Sequence, residues 1–145
     1  MLVQTILKSK ATEGVVTVTP EITVSEASKI LAEKRIGTVV VSVDGGETAS
    51  GILSERDIVR ELAASGSGCL NRSVSAYMTS DLETATRQDS VQDVLQRMTT
   101  GRFRHMPVVE DGQLIGIVTL GDVVKAQLSE LAMEKEALET MIMGH

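Results

Sequence analysis

Two segments of the 145-residue chain place a hydroxyl, a carboxylate and a helix start at the same spacing: Ser54-Glu-Arg-Asp57 and Thr119-Leu-Gly-Asp122. Each follows a Gly-apolar-apolar strand end, Gly51-Ile-Leu in one case and Gly116-Ile-Val in the other. A helix N-terminus presents unpaired N–H groups and partial positive charge, so a hydroxyl there can share an anion with them. A carboxylate three residues on has two acceptor oxygens, enough for both protons of a ribose 2′,3′-diol. Phosphate and ribose together are what a nucleotide offers. The same spacing is also an ordinary capping box worth about 1 kcal/mol, and duplicated helices inherit duplicated caps. Arg56 distinguishes the first segment. A guanidinium in the first helical turn opposes the macrodipole, and an anion nearby accounts for its placement. Gly121 occupies the equivalent position in the second segment, so the two sites are expected to differ in anion affinity.

Arg102-Phe-Arg104-His105 is the densest basic cluster and precedes the run Met106-Pro-Val-Val. It reads either as a solvated helix end, where cations suit the C-terminal dipole, or as a phosphate contact. His105 is a poor metal ligand because only His145 could join it, and catalytic metals want several such ligands. No Ser-His-Asp, Cys-His or paired-carboxylate set assembles, so binding is expected rather than an enzyme. The single cysteine, Cys69, makes neither an internal disulfide nor a zinc cluster, which fits a reducing compartment. Fourteen basic against twenty acidic residues give a formal charge of −6, and Tyr77 and Phe103 are the only aromatics. That balance argues against nucleic acid as a partner. No apolar run approaches the roughly 20 residues of a membrane span, and no secretory signal core is evident. A soluble cytoplasmic protein with no membrane partner is expected.

The elements that hold these residues come in two copies. Residues 23–31 match 90–98 in polarity, and Gly51-Ile-Leu-Ser-Glu-Arg-Asp-Ile-Val-Arg matches Gly116-Ile-Val-Thr-Leu-Gly-Asp-Val-Val-Lys. The offset falls from 67 to 65 between these blocks, so the first copy carries two extra residues, in the Asp44-to-Ser50 stretch. Each copy opens with a short strand-like run, Val15 to Val18 and Leu82 to Thr86, before a capping-box signal, Thr23-x-x-Glu26 and Ser90-x-x-Asp93. Val91, Val94, Leu95 and Met98 then fall on one helical face. Thr38 to Val43 and Met106 to Val109 follow as strands, and Asp44-Gly45 and Asp111-Gly112 signal hairpins. Each repeat therefore reads strand, helix, strand, strand, helix. Ala64-Ser-Gly-Ser-Gly has the composition of a flexible linker, and residues 1–10 suggest a lead-in helix. Leu128, Leu131, Leu138 and Met141 stripe a long C-terminal helix, which either packs on its own domain or makes a dimer contact.

The two Gly-apolar-apolar-Ser/Thr-x-x-Asp segments, with the run Phe103-Arg-His-Met-Pro-Val-Val-Glu-Asp-Gly, resemble a tandem pair of cystathionine β-synthase (CBS) domains, a Bateman module. The resemblance covers nearly the whole chain and implies an α/β fold of the α+β type. In it two pseudo-symmetric β-α-β-β-α motifs pack as one module. The motifs would be 1–67, with the lead-in helix, and 68–128, followed by a helical extension at 129–145. It further implies adenosine ligands in two clefts, where the hydroxyl and Asp of one motif are completed by the other. Ser54, Arg56 and Asp57 would face Arg104 and His105, with Thr79 and Leu82 near the base. Thr119 and Asp122 would work with Ile36, Gly37, Thr38 and Lys10. Two positions depart from the family pattern: Val40 stands where Pro107 has its counterpart, and Gly121 lacks a cation. The resemblance implies no required cofactor, but an adenosine-containing ligand (AMP, ADP, ATP, NAD(H) or S-adenosylmethionine), a homodimer and an effector protein of unspecified identity. The competing reading is a structural dimerisation protein without a nucleotide ligand.

Overall fold

Thr23 begins the first long helix by a reciprocal cap, in which its hydroxyl accepts from Glu26 N and its own amide donates to Glu26 Oε2, both at 3.1 Å. That helix, α2 (Val24–Lys34), buries Val24, Ala27 and Leu31 on one face and stops at Arg35, which adopts a left-handed conformation. The lead-in helix α1 (Val3–Ser9) precedes it, as does strand β1 (Thr17–Val18). After α2 come β2 (Thr38–Val41), β3 (Gly51–Ser54) and α3 (Glu55–Ser65). The second repeat supplies α4 (Val91–Gly101), β4 (His105–Glu110), β5 (Gln113–Thr119) and the long α5 (Leu120–Ile142). This computed structural model describes residues 1–10 and 15–143. Two β-α-β-β-α motifs are therefore present, the first strand of the second reduced to a single bridge at Ala85, and the long final helix runs on from the second motif without a break. Among the described residues no helix is long and apolar enough to cross a membrane.

The chain forms two compact units: unit I from residues 15–83 and 109–116, and unit II from 1–10, 84–108 and 117–143. In unit I, β2 is the middle strand of a three-stranded sheet, parallel to β1 and antiparallel to β3, with Thr38 opposite Ser54 and Val41 opposite Gly51. Val40 N and Ser42 N donate to Val16 O and Val18 O, which carries the ladder one residue beyond β1. Val39, Val41 and Leu53 face α2 and α3 in one aliphatic core with Val18, Val24, Ala27, Leu31, Ile58 and Val74. In unit II, Val91, Val94 and Met98 of α4 and Val123 of α5 are buried, as are Val3 and Ile6 of α1. The helical stripe expected at 91–98 is thus a core face, with Leu95 at its edge.

Four local expectations are corrected. The run Leu82 to Thr86 is not a strand: only Ala85 pairs, in parallel with Val108, and the carbonyls of Arg87 and Asp89 accept from Gln4 N and Val3 N instead. Asp44-Gly45 does not close a tight hairpin. Asp44 instead accepts from Thr48 N (2.9 Å), Thr48 Oγ1 (2.6 Å) and Ser42 Oγ (2.7 Å), which organises residues 42–50 as a longer loop. The bonds from Thr48, then Ser42, hold the Asp44 carboxyl down at about 2. By contrast Asp111 (φ 51°) and Gly112 (φ 79°) are both left-handed and join β4 to β5 directly, as a two-residue primed turn requires. The 64–68 stretch is not a linker: α3 continues to Ser65 and a 3-10 turn at Ser67–Asn71 buries Cys69. Ser90 caps α4 through its hydroxyl alone, because Asp93 is turned toward Arg97 (3.9 Å).

Candidate functional site

In unit I the strand-to-helix corner is built by Ser54. Its amide donates to Asp57 Oδ2 (2.9 Å), its hydroxyl donates to the same oxygen (3.0 Å), and Asp57 N donates back to Ser54 Oγ (3.2 Å). The carboxylate is thereby turned back over the helix start, and its other oxygen lies 3.5 Å from Arg60 Nη1. Arg60 was not singled out in the sequence, although its i,i+3 spacing from Asp57 was readable there. The loop before β2 joins the same corner, since Glu55 N donates to Gly37 O (2.8 Å). Thr38 is therefore beside Ser54, with Ile36 half-buried just before it. Thr79 closes the other side by exchanging both backbone bonds with Ile52 (3.0 and 2.9 Å), and Leu82 follows it in the same unit, half-buried. On the outer face of α3, Glu55, Arg56, Val59 and Arg60 line an open depression of about 420 Å³.

One atom of this corner is out of balance. The Thr38 hydroxyl is buried and has no hydrogen-bond partner among the described residues. An unsatisfied buried hydroxyl costs about 1–3 kcal/mol, a deficit that a bound polar group removes. Thr38→Val is accordingly expected to stabilise the ligand-free protein by about 1 kcal/mol while weakening any ligand that bonds the hydroxyl. Denaturant midpoints with and without ligand check both signs.

Unit II repeats the corner, with Lys10 in place of Arg60 as the cation beside the carboxylate. Thr119 N donates to Asp122 Oδ2 (2.9 Å) and Asp122 N to Thr119 Oγ1 (3.1 Å). Lys10 Nζ reaches across from the end of α1 to the same carboxylate oxygen and to Ile117 O, both at 2.9 Å. The loop before β4 is tied in as in unit I, with Leu120 N donating to Arg104 O (2.8 Å). His105 is half-buried at the start of β4, while the Arg104 side chain is exposed. Arg102 is the left-handed cap of α4, so this part of the basic cluster is a helix end, and its neighbour Phe103 lies over Gly101. His145 lies outside the described residues. Among the described residues no group of three or more His, Cys, Asp or Glu is placed to hold a metal ion.

Burial pushes the Asp122 carboxyl up, but the bonds from Lys10 and Thr119 and the Lys10 charge outweigh it and hold the group below its ordinary value. A depressed carboxylate contributes stability in full above the unfolded aspartate range, near pH 3.9, and loses it as pH falls below that range. Asp122→Asn is therefore expected to flatten the acid limb of a thermal-midpoint-against-pH curve. An unchanged limb would contradict the Lys10 pairing.

Each corner therefore unites the capping box with the pre-strand loop of its own repeat: Ser54, Asp57, Ile36, Gly37 and Thr38 lie in unit I, and Thr119, Asp122, Arg104 and His105 in unit II. Residues 6–64 and 74–129 each match the CBS domain family. The chain belongs to the CBS-domain family. CBS membership places it among non-catalytic regulatory modules. The CBS-domain-containing protein ATU1752 of Agrobacterium tumefaciens is 40% identical, with a TM-score of 0.82 over 88% of this chain and 99% of that one. An uncharacterised 17.7 kDa protein of Acidianus ambivalens is 36% identical over 86% of this chain and 74% of its own length. The CBS domain pair of MJ0100, solved with 5′-methylthioadenosine and S-adenosyl-L-methionine, is 26% identical with a TM-score of 0.76, covering 90% of this chain and 98% of that one.

Proposed function

We propose that the chain is a regulatory module that binds adenosine-containing nucleotides (AMP, ADP, ATP or NAD(H)) in the cytoplasm and reports their level to an effector protein. The observation that carries this reading is the unpartnered Thr38 hydroxyl beside the Ser54–Asp57 cap. Here Asp57 and Asp122 accept from ribose hydroxyls through the carboxylate oxygens left over from capping. Arg56 and Arg60 serve phosphate in unit I, where the α3 depression offers two guanidiniums and one carboxylate. Thr79 and Leu82 contact the base by backbone and apolar surface. In unit II, Lys10 already neutralises Asp122, so a ribose there shares the carboxylate with an ammonium. The complex of MJ0100 supports the adenosyl class.

Ligand signals by population: tighter binding to one of two conformational states shifts the balance toward it, by no more than the difference in affinity. The module acts as a homodimer in this reading. Thermal unfolding in nucleotide-free buffer, with AMP, ADP, ATP, NADH and S-adenosylmethionine added in turn, tests the proposal. A rise with adenosine-containing ligands and none with uridine nucleotides is expected. A flat response at millimolar ligand would transfer the reading to a structural dimerisation protein, which the exposed apolar stripe of α5 favours.

A further inference from the structure

The second half of α5 has nothing packed against it among the described residues: every residue from Leu131 to Ile142 is exposed. At about 1.5 Å per residue this is about 18 Å of helix, a length that is marginal in water unless one face is covered. Its apolar residues are ordered. Val124, Leu128, Leu131, Leu138 and Ile142, with Lys135 between them, follow alternating steps of four and three, the period of a two-stranded coiled-coil seam. Exposures of 62% at Leu128, 50% at Leu131, 58% at Leu138 and 82% at Ile142 show that the seam is uncovered. At 3.6 residues per turn its centre lies about 100° round the helix from Val123 and about 160° from Ala126, which face the core of unit II, so one helix serves both.

We propose that α5 pairs in antiparallel fashion with α5 of a second copy of this chain. This rests on the homodimer reading above and adds its surface, direction and register. When the two helices run in opposite directions, Val124 meets the partner's Ile142, Leu128 meets the partner's Leu138, and Leu131 meets the partner's Lys135, so every seam position finds a partner in one register. The lone Lys135 lays its stem on leucine while its ammonium stays at the edge, near its own Glu139 (3.9 Å). Flanking charges select the direction. Lys125 falls beside the partner's Glu139, twice by symmetry, and the facing Glu134 pair lies within a turn of both Lys135 ammoniums. Parallel pairing sets Lys135 against the partner's Lys135 and, twice by symmetry, Glu134 against the partner's Glu139, and it leaves Lys125 facing no carboxylate across the seam.

Cross-linking of the full chain decides the arrangement, because the single natural cysteine, Cys69, is buried. Chains carrying Leu128→Cys are mixed with chains carrying Leu138→Cys and oxidised. A disulfide-linked mixed dimer is expected, with little self-linked product, since like positions lie about 15 Å apart along an antiparallel pair. Self-linked dimers of each variant alone, without the mixed species, would show parallel pairing and overturn the proposal. Sedimentation supplies the second readout: Leu131→Glu with Leu138→Glu is expected to turn a dimer into a monomer while its nucleotide response stays unchanged. A dimer that survives both substitutions associates through another face, which overturns the α5 seam and spares the homodimer reading. A natural chain that is monomeric at high micromolar concentration overturns both.

Discussion

Replacing Asp57 and Asp122 together by alanine is expected to abolish the stabilisation that an adenosine-containing ligand gives. At a concentration about 100 times its Kd such a ligand adds about 2.7 kcal/mol, or roughly 5–10 °C in Tm for a domain of this size. Both carboxylates also cap helices, accepting from Ser54 N and Thr119 N at 2.9 Å. Alanine therefore lowers the ligand-free midpoint as well, by about 1 kcal/mol per site. The two effects separate cleanly when each variant is compared with its own ligand-free baseline. Asn variants sharpen the test: the amide oxygen still accepts from the capping N–H, so helix starts survive, while the charge and half of the ribose-accepting capacity go. A full ligand response in the double alanine variant would remove both corners from the nucleotide proposal. A response lost in Asp57→Ala and kept in Asp122→Ala would place the ligand at the unit I corner, where Lys10 does not compete for the carboxylate.

These corners were readable in the sequence because their chemistry is local. A hydroxyl and a carboxylate three residues apart form the same reciprocal cap wherever a helix starts, and the structure forms it at Ser54 and at Thr119. The buried stripes of α2 and α4 were readable for the same reason, since helical periodicity depends on no distant partner. What escaped was non-local or decided by competition. The run 82–86 has strand composition, yet Arg87 and Asp89 give their carbonyls to α1, and only the fold reveals that claim on them. Asp44-Gly45 carries a hairpin signal, but Thr48 and Ser42 capture the Asp44 carboxylate and hold the loop in another shape. The Ala64-Ser-Gly-Ser-Gly segment looks like a linker because small polar residues say nothing of the buried Cys69 that follows and ties it down. The family resemblance places Lys10 with Asp122, but not with the Ile117 carbonyl that it also bonds, because a backbone acceptor has no signature in side chains. The Thr38 hydroxyl is of this kind too: its burial and its want of a partner are properties of β2 packed in place, not of a threonine in a strand.

Gly51 shows how a residue of the recurring Gly-apolar-apolar-Ser segment serves packing while its neighbours serve the site. It lies opposite Val41 at the start of β3, where Thr79 exchanges both backbone bonds with Ile52. A Cβ at Gly51 would fall 2.9 Å from Thr79 O and 2.7 Å from Met78 Sδ. The thioether end can swing away, but the carbonyl is held by the Ile52 bond and cannot move without breaking it. Gly51→Ala is therefore expected to destabilise the protein by about 1–3 kcal/mol, and Gly51→Val by about 3 kcal/mol or more, because the branched side chain removes the room that Met78 would use. Denaturant unfolding checks both, and midpoints within error of the natural chain would show that Thr79 does not approach as closely as this. A second measurement separates packing from recognition. If Gly51 acts only by letting Thr79 close the corner, Gly51→Ala loses ligand response along with stability, and Met78→Ala, which relieves the side-chain half of the clash, restores part of the response in the double variant. Restored stability without restored ligand response would mean that the displaced Thr79 backbone itself contacts the ligand.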